Sequence, residues 1–88
     1  MLIKFIEVKR EADGLAHLSE IFVNTTHIIS VSEENMAHEL IKESLGLSDN
    51  VVFSSVLLSE GYRTRKVTVI GTPAEINTKV KRKQVLRG

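Results

Sequence analysis

Chemistry in this chain of 88 residues would have to come from three histidines, His17, His27 and His38, because it contains no cysteine. The segment His38-Glu39-Leu40-Ile41-Lys42 matches the first positions of the zinc-protease helix pattern H-E-x-x-H. Lys42 stands where the second imidazole must be, so the pattern lacks a metal ligand, and His38 reads as a solvated helix residue. His17 and His27 fall on neighbouring expected strands and can approach one another. Two imidazoles make an incomplete metal site, and Glu20, the nearest acid, has no defined geometry toward them. Without cysteine there is no thiolate zinc site, no disulfide and no thiol nucleophile. The serines sit in ordinary strand or turn positions. Gly14, Gly46, Gly61 and Gly71 each close an element, which leaves no phosphate-cradling loop. The expectation is a protein that is not an enzyme and carries no catalytic residue, cofactor or metal.

What does stand out is charge. Residues 61–88 carry eight basic side chains against the single acid Glu75, a net of +7, whereas residues 1–60 carry four basic and ten acidic ones, a net of −6. The total of +1 hides that division. One-signed patches steer partners of the opposite sign. The candidate binding residues are Arg63, Arg65 and Lys66 on a strand and Lys79, Arg82 and Lys83 on one face of a helix at i, i+3 and i+4 spacing. An acidic protein surface, the acidic half of a second copy and nucleic acid all fit this charge, as does a solvated helix face without a partner. Tyr62 is the sole aromatic nearby, so a nucleic acid would be held by its phosphates rather than read by its bases.

These side chains need a frame. Eighty-eight residues make one small domain, 1–88, with a tail over 84–88 expected to fray. Hydrophobic residues make up 42% of the chain, and no apolar stretch approaches the roughly 20 residues needed to span a bilayer. The opening Met1-Leu2-Ile3-Lys4-Phe5-Ile6-Glu7 is too short and too charged for a secretory h-region. Asn24-Thr25-Thr26 matches a glycosylation sequon but reads as a turn. The expected setting is therefore cytoplasmic, with no membrane partner.

The apolar content is mainly valine, isoleucine and leucine, which suits strands. Residues 2–10 form a first strand. Asp13-Gly14 signals a hairpin, and a second strand follows over 15–23. A strict two-residue loop would oppose Phe5 to Phe22 but also Glu7 to Glu20, so a bulge or a longer loop is expected. Residues 27–31 form a short third strand. Ser32 then starts a helix with Glu33 and Glu34 in its first turn, an apolar stripe at Met36, Leu40, Ile41 and Leu45, and Gly46 as its C-terminal cap, onto which Leu47 folds back. Residues 51–58 and 63–70 make a strand pair around Glu60-Gly61. If Ser59 faces Tyr62, one face of that pair carries Val52, Val56, Leu58, Val67 and Val69. Thr72-Pro73-Ala74-Glu75 combines a capping box with proline at the first helical position, opening a helix to about Val85 with Ile76 and Val80 inward.

The order of these pieces resembles that of the small FlbD-like flagellar proteins and of short bacteriophage proteins. The matching segments are Ile3-Lys4, Val23-Asn24 with Ile28 and Val31, Val56-Leu57-Leu58-Ser59-Glu60-Gly61, and Thr72-Pro73-Ala74-Glu75-Ile76. They span about half of the chain. The helix at 33–45 and the longer hairpins depart from the pattern. The resemblance implies a small β-rich domain that works by protein contacts.

The fold expected is α+β: about five mostly antiparallel strands as a bent sheet or small open barrel, one inserted helix and one C-terminal helix. Its core should hold Phe5, Ile21, Phe22, Val31, Leu40, Phe53, Val56, Val67, Val69 and Ile76. The first strand is apolar on both faces, as are residues 51–53 and 56–58, which is more than two light helices can cover. The function expected is a non-catalytic protein–protein interaction module that forms homo-oligomers. The alternative is nucleic-acid binding through the six basic residues.

Overall fold

The computed structural model describes residues 1–11, 15–34 and 39–87, with backbone alone at 39–40 and 82–87. Among them run β1 (Leu2–Arg10), β2 (Ala16–Asn24), a 3₁₀ turn (Thr25–His27), β3 (Ile28–Glu33), α1 (Glu39–Leu45), β4 (Phe53–Glu60), β5 (Arg63–Ile70) and α2 (Pro73–Arg87). The strands form one open antiparallel sheet in the order β2-β1-β5-β4-β3. The α+β class and the five strands agree with the sequence reading.

Local chemistry explains most of the elements. Thr72 caps α2: its Oγ1 accepts the N–H of Glu75 at 3.1 Å, and its carbonyl accepts the N–H of Ile76 at 3.0 Å. Gly46 takes φ +69° after α1. Its N–H donates to the Glu43 carbonyl, and that of Leu47 donates to the Lys42 carbonyl at 2.8 Å, the bond pair of a Schellman termination. The β4–β5 turn is Gly61-Tyr62, one residue later than expected, with Gly61 at φ +70°. That moves the pairing by two positions, so Val56, Leu58, Val67 and Val69 still share a face, with Arg63 and Arg65 at its turn end.

The sheet is strongly coiled. β1 and β5 share one ladder pair, Glu7 with Val69. In a flat sheet, that register would put Leu2 and its partner Asn24 roughly 40 Å from the β4–β5 turn. Yet the four residues after Asn24, which reach about 14 Å at most, lead into the pair Ile28–Leu58 beside that turn. The β1–β2 ribbon therefore crosses the other strands steeply.

Each face has its own helix. On the concave face Ile3, Phe5, Val23, Val56, Leu58, Val67 and Val69 close around Ile76 of α2, with Ile21, Ile28, Val31 and Val80 packed beside them. On the other face Val8 and Phe53 pack under Ile41 of α1, joined by Ala16, Leu45, Leu47 and Ile70. Glu7 lies on the concave face at 8% exposure, and its Oε1 has no hydrogen-bond partner. Ser54, fully buried, donates instead to the carbonyl of Gly71 at 2.7 Å.

Several expectations need correction. Residues 32–33 do not open a helix: β3 runs to Glu33, which pairs with Ser54. The N–H of Glu34 continues the ladder by donating to the Phe53 carbonyl, and Ser55 Oγ donates to Glu34 Oε2 at 2.7 Å. A strand partner and a side-chain donor for these acids outweigh the helix-dipole preference. The β1–β2 register opposes Phe5 to Ile21, Glu7 to Ser19 and Lys4 to Phe22. Glu7 thus avoids Glu20, and Phe22 leaves the core for the outer face, where it is 64% exposed. Ile21 and Val31 are half-buried rather than buried. The Asp13-Gly14 turn, Met36, His38 and the side chain of Leu40 lie outside the described residues.

Candidate interaction surface

The basic residues do not share one face among the described side chains. Arg63 and Arg65 point to the concave side of β5, and Lys66, the next residue, to the other. Arg65 Nη1 lies 3.4 Å from Glu60 Oε2, and Lys66 Nζ lies 3.6 Å from Glu34 Oε2. Lys79 Nζ donates to the carbonyl of Lys4 at 2.6 Å and sits 5.5 Å from the centre of the Phe5 ring. Arg82 and Lys83 follow on α2 with side chains outside the described part. A cleft of about 350 Å³ between the end of β2 and the β4–β5 turn is lined by Asn24, His27, Leu58, Glu60 and Arg65 among others, and its Glu60 and Arg65 face each other as an ion pair.

The histidines separate. β2 and β3 are opposite edges of the sheet rather than neighbours. His17 lies at the start of β2 with Nδ1 3.1 Å from Glu11 Oε1, and His27 is in the 3₁₀ turn after the far end of that strand. No cluster of three potential metal ligands occurs among the described residues. No described helix is long and apolar enough to cross a membrane.

The surface that sequence reasoning missed is the outer face of the β1–β2 ribbon. Leu18, Glu20 and Phe22 alternate along β2 on that face, beside Leu2, Lys4 and Ile6 of β1. Phe22 is 64% exposed, Leu2 60% and Leu18 39%, so α1 covers the Val8–Ala16 end of the face and stops short of them. Lys4 Nζ holds Glu20 Oε2 at 3.0 Å between the apolar groups. Leu2 had a visible signal, because the first strand is apolar on both faces. Phe22 had none, because its face depends on a one-residue choice of hairpin register.

The edge itself is also open. The N–H of Glu11 donates to the Leu15 carbonyl, and the N–H of Thr25 donates to the Met1 carbonyl, so odd-numbered residues of β2 turn their backbone groups toward β1. With an unbroken register between them, Ala16, Leu18, Glu20, Phe22 and Asn24 turn theirs outward, and no described strand lies there.

Compared with protein-family models, with curated protein sequences and with solved structures, the chain matches none of them.

Proposed function

We propose that this protein is a non-catalytic protein–protein interaction module, working as a homo-oligomer, whose contact surface is the outer face of the β1–β2 ribbon. The observation that carries this reading is Phe22, a phenylalanine 64% exposed beside a leucine, Leu2, 60% exposed, on the part of the sheet face that α1 leaves bare. Adjacent large apolar groups in water mark contact surfaces. The acidic and basic parts of the chain add charge of both signs for a second copy to match. The resemblance to FlbD-like proteins implies the same kind of work.

Light scattering after size-exclusion chromatography, at low and high salt and with a short mixed-sequence DNA, tests the reading. An oligomer that ignores the DNA and dissociates in Phe22→Ser supports it. A monomer that moves onto DNA at low salt and releases it as salt rises would replace it with phosphate binding through Arg63, Arg65, Lys66, Lys79, Arg82 and Lys83.

A further inference from the structure

The interaction module reading leaves open which element meets which, and the geometry of β2 narrows that choice. β2 is a long, regular edge strand: nine residues paired to β1 without a register break. An edge of this kind presents unpaired N–H and C=O groups to any strand that can approach. The opposite edge is different, because β3 carries a register shift between Ile28 and Ser30. Such irregularities blunt strand addition.

The side chains of β2 are symmetric about Glu20. Leu18 stands two residues before it and Phe22 two after, on the same face, with Ala16 and Asn24 at the ends. We infer that β2 pairs antiparallel with β2 of a second copy about a two-fold axis at Glu20, joining two sheets into one. This inference rests on the interaction-module reading and names the partner and register of that surface.

In this register Leu18 of each copy lies opposite Phe22 of the other, and Ala16 lies opposite Asn24. The outward backbone groups of the even-numbered residues then exchange on the order of ten hydrogen bonds. The arrangement is isologous, as a two-fold contact requires. Its one adverse pair is Glu20 against its own copy, and Lys4, already 3.0 Å from Glu20 in each chain, supplies the compensating charge. Shifting the axis to Ser19 or Ile21 avoids that pair but sets Glu20 against Leu18 or Phe22 and leaves the end residues unmatched. An unrelated strand would share the backbone bonds, but a second copy is what returns a phenylalanine to each leucine.

The absence of cysteine makes the register directly readable. A hydrogen-bonded antiparallel pair holds its Cα atoms about 5.5 Å apart, within reach of a disulfide, whereas residues two positions out of register lie beyond about 7 Å. Three single variants are oxidised and run without reductant: Glu20→Cys, Ser19→Cys and Ile21→Cys. The expected result is a covalent dimer as the main species for Glu20→Cys and monomer for the other two. Cross-linking of Ser19→Cys or Ile21→Cys in place of Glu20→Cys overturns the proposed axis. No cross-linking in any variant, with the unmodified chain oligomeric by light scattering, overturns pairing of β2 about Glu20 or its neighbours while the interaction-module reading stands. A monomeric unmodified chain at all concentrations overturns both.

Discussion

The ammonium of Lys79 in α2 donates to the main-chain carbonyl of Lys4 in β1 at 2.6 Å, across 75 residues of chain. That carbonyl belongs to an even-numbered residue of β1, so it points away from β2. β5 would normally take it, but β1 and β5 share one ladder pair, three residues further on at Glu7. Lys79 therefore completes a seam that the coiling of the sheet leaves open, and its ammonium lies over the Phe5 ring. A residue that reads as part of a basic binding face also anchors a helix.

Replacing Lys79 by methionine keeps the apolar stem and removes the donor. Lys79→Met is expected to cost about 1 kcal/mol, because the bond is charge-assisted but solvent-accessible. For a domain of this size that is a fall in Tm of roughly 4–8 °C. Thermal unfolding by circular dichroism reads it, and an unchanged Tm would remove the anchoring role.

Glu7 behaves in the opposite sense. Glu7 pairs with Val69 in the sheet, and its Oε1 is buried and unpartnered, so the desolvation of that oxygen is not offset by a hydrogen bond. Glu7→Leu is expected to stabilise the fold by on the order of 1 kcal/mol, since a well-packed apolar group replaces an unsatisfied acid. Urea denaturation should show a higher midpoint with an unchanged slope. A lower midpoint would mean that the carboxylate has a partner in solution.

Phe53 and Phe22 are the same residue type with opposite fates. Phe53 is 1% exposed under α1, so Phe53→Ala should cost about 3–5 kcal/mol, enough to leave a domain this small largely unfolded. Phe22→Ala, measured on dilute monomer, should stay within about 0.5 kcal/mol. Comparable losses for both would show that Phe22 is packed inside, and with it that the hairpin register differs.

At Gly46 the backbone has φ +69°, and a Cβ there would meet open space. The cost of Gly46→Ala is therefore conformational, about 1–2 kcal/mol, and Gly46→Asn should recover part of it because asparagine tolerates the left-handed region. Equal Tm values for glycine and alanine at this position would show that the Schellman termination of α1 does not hold in solution.

What the sequence determined by itself is what short-range physics controls. Strand-favouring apolar residues set β1 and β5 over the same residues as expected, Thr72-Pro73-Ala74-Glu75 set the start of α2, and Gly46 set the end of α1. Each depends on neighbours within a few positions. β3 extends two residues past its expected end because the helix-start pattern of Ser32-Glu33-Glu34 is overridden by a strand partner, residues 53–54, about twenty positions away. The tertiary structure alone decided the strand order, the coil of the sheet and the outward turn of Phe22. Strand order sent His17 and His27 apart and left β2 at an edge. Register exposed Phe22, because side chains alternate across a strand and a slip of one residue exchanges the faces. The basic residues were legible as charge. Their division between two sides of β5 and a helix follows from packing that no local spacing encodes.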